Sequence, residues 1–243
     1  MRILVINPNT SEEMTAGIDA IAKKYARPET QIETVHPKRG PRSIECAYEE
    51  DIVAEGVLEA VIEGNEKNFD AIIIACYGDP HLQSAREISD VPVYGIAESS
   101  MHMACLLGYK FSIVTVLERS RPIFEQLVKT VGLESKCASI RTTSVSVLEI
   151  AKDPTMTMKV LTEAGRAAVR EDGAEVICLG CAGMAGLDKP MEQELNVPVL
   201  DGVVCGVKMA EAAFDYGLRH SKIKAFKRPE PKEFVGMKRF QID

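Results

Sequence analysis

Apolar and polar positions along this chain switch between two periods. Short apolar runs, many of them rich in β-branched residues and bounded by turn-forming ones, predict strands. They fall at Arg2–Ile6, Gln31–Val35, Ala71–Ala75, Val93–Ile96, Phe111–Val116, Ser139–Thr143, Val176–Leu179 and Val199–Leu200. Between them, apolar residues three or four apart predict helices. These fall at Glu12–Lys24, Ala47–Glu63, His81–Ile88, Glu98–Leu107, Arg121–Val131, Met156–Glu171 and Cys205–Tyr216. Regular alternation of the two predicts an α/β fold with parallel sheets covered by helices. Thr10 or Ser11 is placed to cap the first helix, with Glu12 and Glu13 in its first turn. Asp79, ahead of Pro80, is expected to cap the helix that follows it. The charged stretch Lys222–Lys232 has no periodicity and reads as a solvated extension.

The pattern repeats. Phe69-Asp70-Ala71-Ile72-Ile73-Ile74-Ala75-Cys76-Tyr77-Gly78 is an apolar run ending in a thiol, followed by Asp90-Val91-Pro92-Val93. Gly173-Ala174-Glu175-Val176-Ile177-Cys178-Leu179-Gly180-Cys181-Ala182-Gly183 is another, followed by Asn196-Val197-Pro198-Val199. Repetition on this scale predicts two similar Rossmann-like lobes related by pseudo-twofold symmetry, with the active site in the cleft between them. The first lobe is expected over 1–96 plus 203–243 and the second over 97–202. One continuous sheet with similar turns is the competing arrangement.

Composition narrows the function. The 243 residues are 46% hydrophobic, enough for a packed core, and the formal charge of −7 disfavours nucleic acid or an anionic membrane as partner. No apolar run is long enough to span a bilayer, and the apolar part of the N-terminus is short for a signal peptide. A cytoplasmic protein is therefore expected, with its seven cysteines reduced. Cys178 and Cys181 have Cys-x-x-Cys spacing, but no second pair or His-x-x-x-His completes a zinc site. No phosphate-binding glycine motif occurs. Neither cofactor nor metal is expected, and the expected partner is a small-molecule substrate.

A strand that ends in a thiol delivers it to the carboxyl edge of a sheet, where open α/β sheets bind ligands. Cys76 and Cys181 are the matched pair. Two thiols on opposite faces of a carbon acid can take a proton from one side and return one from the other. Helix starts nearby would lower their pKa values, and the following backbone N–H groups could hold an enolate oxygen. Gly78 and Gly183 would let the backbone approach a substrate. Either cysteine taken alone reads as a core thiol, and it is the matched pair in matched contexts that points to chemistry. Asn7, in Asn7-Pro8-Asn9-Thr10, is either a turn residue or an amide that reads a polar ligand. Ser43 and Ile44 are placed to line a pocket, with Glu45 as a helix-start charge. Thr115 stands where Asn7 stands in the first half and can offer a hydroxyl. His81 is either a tuning group or a helix-surface histidine.

Asn7-Pro8-Asn9-Thr10, Gly40-Pro41-x-Ser43-Ile44-Glu45, Cys76-Tyr77-Gly78-Asp79-Pro80 and Leu179-Gly180-Cys181-Ala182-Gly183-Met184 together resemble the aspartate/glutamate racemase superfamily. The likeness is to its hydantoin racemase branch, which includes allantoin racemases. It implies two α/β lobes, a cofactor-independent two-base mechanism, homo-oligomers, and Cys76 and Cys181 as the catalytic pair. It also implies substrate contacts at Asn7, Ser43, Ile44, Tyr77, Gly78, Thr115, Ala182 and Gly183. Glutamate racemases usually carry Cys-Asn-Thr, Cys-Thr-His and an Asp after the first strand. Here Cys-Tyr-Gly, Cys-Ala-Gly and Asn7 stand instead, which suits a neutral hydantoin ring better than a charged amino acid. Racemisation of 5-substituted hydantoins or allantoin is the leading expectation. Amino-acid racemisation, a maleate-type isomerisation and a non-catalytic binding protein are the alternatives.

Overall fold

The computed structural model describes residues 1–150 and 152–241. In the first half the chain runs β1 (Arg2–Ile6), α1 (Glu12–Tyr25), β2 (Gln31–Val35), α2 (Ala47–Ile52), α3 (Ala54–Glu66), β3 (Ala71–Ile74), α4 (Leu82–Ile88) and β4 (Val93–Gly95). The crossover α5 (Ile96–Leu107) leads to β5 (Phe111–Leu117), α6 (Arg121–Thr130), β6 (Cys137–Thr143), α7 (Pro154–Asp172), β7 (Val176–Leu179), α8 (Asp188–Leu195), β8 (Val199–Asp201) and α9 (Gly202–Tyr216). Two separate four-stranded parallel sheets result, ordered β2-β1-β3-β4 and β6-β5-β7-β8. The two lobes are thus wound identically, and the continuous-sheet arrangement is excluded. No described helix is long and apolar enough to cross a membrane.

Strand side chains alternate between faces, so each strand feeds two cores. Ile3, Val5, Ile73, Phe111, Ile113 and Val176 join one central cluster shared by both lobes, with Ile96 and Met101 of α5 and Val203 and Val207 of α9. Their sequence neighbours Leu4, Ile6, Ile72 and Ile74 enter an outer cluster of the first lobe. Val114, Val116, Ile177 and Leu179 do the same in the second. The starts of α5 and α9 meet in the centre. A Cβ on Gly202 would lie 2.9 Å from the Ile96 carbonyl oxygen, and one on Gly206 3.2 Å from Ile73. Only glycine permits that approach.

The structure departs from the expected elements in several places. The single helix expected over 47–63 is broken at Val53, which is buried, because the core stripe Val53, Val57, Val61 begins there while α2 buries nothing. Helix α8 carries Pro190 in its first turn and buries only Asp188 and Met191, so its apolar period is too sparse to read. The C-terminal extension is mostly exposed, as expected, but it is tied to the first lobe at several points. His220 Nε2 accepts the Val93 N–H at 3.0 Å, satisfying an edge-strand donor, and Lys222 reaches the Arg86 and Glu87 carbonyls. Further out, Arg228 pairs with Asp90 and Arg239 with Glu66.

Ser11 caps α1, accepting the Met14 N–H at 3.2 Å. Asp79 caps a different helix from the one expected. Its carboxylate accepts the N–H groups of Ala97 (3.0 Å) and Glu98 (2.8 Å) at the start of α5. It fills the space of a missing side chain: a Cβ on Gly95, the N-cap, would lie 2.2 Å from the Asp79 carboxyl carbon. Burial pushes the Asp79 carboxyl up to about 7, against the two N–H donors that favour its ionised form. Asp79→Ala leaves two buried donors unpaired and is expected to cost about 1–3 kcal/mol in denaturant unfolding. A carboxyl with a raised folded pKa contributes most below its unfolded value and loses that contribution as pH rises through the folded one. The cost of Asp79→Ala should therefore shrink between pH 5 and pH 8, and a cost that grows with pH would contradict this account.

Candidate active site

Both strand orders reverse direction beside the first strand of each lobe. In the first lobe β1 leads outward to β2 on one side and has β3 on the other, which makes the β1/β3 edge a topological switch point. Cys76 stands two residues beyond β3, and Cys181 stands two residues beyond β7 at the matching switch. The residues between are held alike: Ala75 N–H donates to the Ile6 carbonyl and Gly180 N–H to the Val114 carbonyl, each at 2.8 Å. Both thiols line one cavity with about 40 Å³ of free space.

Of the expected contacts, Ile44, Tyr77, Gly78 and Ala182 line that cavity with the cysteines. Asn7, Ser43, Thr115 and Gly183 do not. Asn7 is fully buried and donates to Thr15 Oγ1 (2.9 Å) and Asn9 Oδ1 (3.1 Å), so it orients Asn9, which does line the cavity. Thr115 donates to the Gly180 carbonyl at 2.9 Å and fixes the peptide that precedes Cys181. Gly180 must be glycine, since a Cβ there would lie 2.6 Å from Thr115. Gly183 lines a neighbouring cavity and donates its N–H to Cys181 Sγ at 3.3 Å. The Tyr77 hydroxyl is engaged with Ser100 Oγ at 2.9 Å, and its ring meets Phe124 edge-on, so it forms a rigid wall.

Two carboxylates that the sequence did not mark as site residues complete the lining. Glu45 accepts the Val147 N–H at 2.9 Å. Glu50 is carried in on α2, and its Oε1 lies 1.8 Å from where a Cβ on Gly78 would be. Burial, then the Asp51 carboxylate, push the Glu50 carboxyl up to about 7. His81 holds this arrangement, its Nε2 lying 2.8 Å from the Glu50 carbonyl oxygen.

The thiols do not have the lowered pKa values expected of helix starts. Burial pushes Cys181 up to about 11, against the Gly183 N–H and with help from the Glu45 charge. Burial raises Cys76 further still; the Gly78 N–H opposes this, and the charges of Glu50 and Cys181 add to it. Each sulfur keeps part of its surface open to the cavity. Cys178 is a core thiol, pointing its Sγ at the Ser100 carbonyl, so the Cys-x-x-Cys spacing is incidental. Among the described residues no group of three or more His, Cys, Asp or Glu side chains is arranged to hold a metal ion.

Residues 3–210 match the Asp/Glu/Hydantoin racemase family. The chain belongs to that family. It is 50% identical to the hydantoin racemase of Pseudomonas sp. (strain NS671), over 97% of this chain and 95% of that one. It is 37% identical to the hydantoin racemase of Paenarthrobacter aurescens, over 97% and 100%. Its structure matches an allantoin racemase from Klebsiella pneumoniae with a TM-score of 0.95 at 43% identity, covering 98% of this chain and 97% of that one. The two-lobed fold extends to arylmalonate decarboxylase, at a TM-score of 0.62 and 16% identity.

Raised thiol pKa values make alkylation of the free protein slow at neutral pH. Thiolate, not thiol, reacts with iodoacetamide, so labelling of Cys181 should accelerate about tenfold per pH unit from pH 7 to pH 10. Cys76 should lag behind it throughout. Peptide mass spectrometry at each pH reads both rates, and a plateau for either below pH 8 would contradict the burial argument.

Proposed function

We propose that this chain is a cofactor-independent racemase of 5-substituted hydantoins, allantoin among them, exchanging the C5 proton between Cys76 and Cys181. One observation carries the reading: two thiols at equivalent positions of two like-wound lobes line a single small cavity. The family membership and the two hydantoin racemase relatives support the substrate class. The lobes that present the thiols comprise 1–96 with 203–243, and 97–202. A cytoplasmic homo-oligomer accords with the unpaired cysteines and with the resemblance to this branch.

In the mechanism one cysteine is thiolate and its partner thiol. The thiolate takes the C5 proton, electrons delocalise onto the adjacent ring carbonyl as an enolate, and the opposite thiol protonates the other face. The thiol and thiolate have then exchanged places, which readies the enzyme for the other enantiomer. The N–H groups of Gly78 and Gly183 are directed at the sulfurs, so they stabilise the thiolates. Ile44, Tyr77, Gly78 and Ala182 enclose the ring. Asn7 acts through Asn9, Thr115 through Gly180, and Ser43 through the Ile44 segment.

Cys76→Ser and Cys181→Ser should each lower racemisation by about 10²–10⁴-fold, since a hydroxyl is a poor acid and base at neutral pH. In deuterium oxide each variant should still exchange the C5 hydrogen of one enantiomer without inverting it, with opposite preferences. Proton NMR on enantiopure hydantoins, against an enzyme-free control, separates exchange from inversion. Wild-type racemisation by either variant would overturn the two-thiol mechanism.

A further inference from the structure

Few polar side chains line the thiol cavity, and each but one already has a partner. Ser120 donates to the Leu117 carbonyl at 2.6 Å, the Tyr77 hydroxyl is paired with Ser100, and Glu45 accepts the Val147 N–H. Asn9 accepts the Ser11 N–H at 2.9 Å and donates to the Met14 sulfur. The N–H groups of Gly78 and Gly183 point at the sulfurs. Glu50 is the exception. Among the described residues its carboxyl has neither a hydrogen bond nor an ion pair. Its place is fixed all the same. His81 ties the Glu50 backbone to the loop that follows Cys76, and the carboxyl fills the space that Gly78 leaves, its Cδ 3.0 Å from where a Cβ would stand. Since the Gly78 N–H is the one directed at Cys76, the carboxyl flanks a reacting sulfur.

We propose that Glu50 is a third catalytic residue, whose protonated carboxyl donates a hydrogen bond to the ring carbonyl oxygen beside C5 as the enolate charge collects there. The proposal rests on the hydantoin racemase reading and adds a group to its two thiols. A carbonyl bonded to C5 lies beside the sulfur that faces that carbon, which is where the carboxyl stands, and no hydroxyl in the cavity is without a partner. An enolate oxygen calls for a donor placed where its charge develops, and a carboxylic acid kept neutral by its surroundings can be that donor. The other ionisable groups around Glu50 are Asp51 on its own helix, Glu45 ahead of it, Cys76, Asp79 and His81 of the loop after β3, and Cys181 across the cavity. Among the described residues no Lys, Arg or His side chain lines the cavity to favour an ionised Glu50. Burial, then the Asp51 charge, push the carboxyl up to about 7, so much of it is protonated at neutral pH. In that form it sets no charge against a Cys76 thiolate, which an ionised Glu50 opposes.

The experiment follows racemisation of enantiopure 5-methylhydantoin by polarimetry from pH 6 to pH 9, against an enzyme-free control, with wild type, Glu50→Gln and Glu50→Ala. Glu50→Gln keeps the shape of the side chain and removes no hydrogen bond of the fold. At pH 7 Glu50→Ala should lose about 10²–10³-fold in kcat, the usual cost of removing one donor to a developing oxyanion. Glu50→Gln should lose only about tenfold, because its amide still donates, though more weakly. In wild type kcat/KM should climb to about pH 7 and then flatten, since each further gain in thiolate is offset by a loss of neutral carboxyl. In both variants it should go on climbing by about tenfold per pH unit as thiolate accumulates. Wild-type kcat in Glu50→Ala, a Glu50→Gln no faster than Glu50→Ala, or a wild-type profile that climbs unbroken to pH 9 would overturn the donor while leaving the racemase reading intact. Absence of racemisation by wild type on 5-methylhydantoin, 5-benzylhydantoin and allantoin alike would overturn both.

Discussion

The contact between the first turns of α5 and α9 sets the geometry on which the site depends. Each helix leaves the fourth strand of its own sheet, and the two starts touch where Gly202 lies against the Ile96 carbonyl. That closeness turns the carboxyl edges of both sheets toward one another. It also allows one apolar cluster to run through both lobes, from Ile3 and Ile73 to Ile113 and Val176. A larger residue at position 202 would force the helix starts apart. The separation would be felt at the thiols, because they extend the strands adjoining β4 and β8.

The same helix starts are tied to the thiol loops by carboxylates, and the two lobes solve this in different ways. In the second lobe Asp201 is itself the N-cap of α9, accepting the N–H groups of Val203 and Val204 on one oxygen. Its other oxygen accepts the Gly186 N–H, five residues beyond Cys181. In the first lobe the equivalent N-cap is Gly95, and Asp79 reaches across from the Cys76 loop to cap α5. Either way a buried carboxylate couples the loop that holds a sulfur to the helix that joins the lobes. Symmetry is conserved in the contact although it is broken in the sequence.

That difference explains what was legible beforehand. The strands β1, β2 and β7 have the bounds their apolar runs predict, because Asn7-Pro8, His36-Pro37 and Gly180 stop them locally. The paired lobes were legible because the repeat lies in consecutive residues. Asp79 read as a local cap because sequence proximity says nothing of a bond to a residue 18 positions on. Asn7 and Asn9 carry the same chemistry two positions apart and both are buried, and only the folded loop separates the amide that orients from the one that faces the cavity. Glu50 was invisible for a related reason. Its helix has no fully buried residue, so its approach to Gly78 is fixed by the loops around it, through His81 and the cavity walls, with no apolar period to signal it.

The raised thiol pKa values are consistent with the proton exchange proposed for Cys76 and Cys181. A two-base racemase needs one thiolate and one thiol at a time, and two thiolates would leave no acid for the second face. Burial that disfavours every charge in the cavity, together with the charge of Cys181 acting on Cys76, guards against the doubly ionised form. The N–H groups of Gly78 and Gly183 then favour whichever sulfur carries the single charge. In the proposed reaction a neutral ring adds no charge of its own to the cavity, unlike an amino acid. The thiolate, poorly solvated and highly basic, is matched to a weak carbon acid better than an ordinary surface thiolate would be, since driving force for proton transfer rises with the pKa of the base. In the proposed mechanism the same burial that suppresses ionisation at rest thus strengthens the base once it forms, and the matched positions of the two sulfurs beyond β3 and β7 let either one serve in that role.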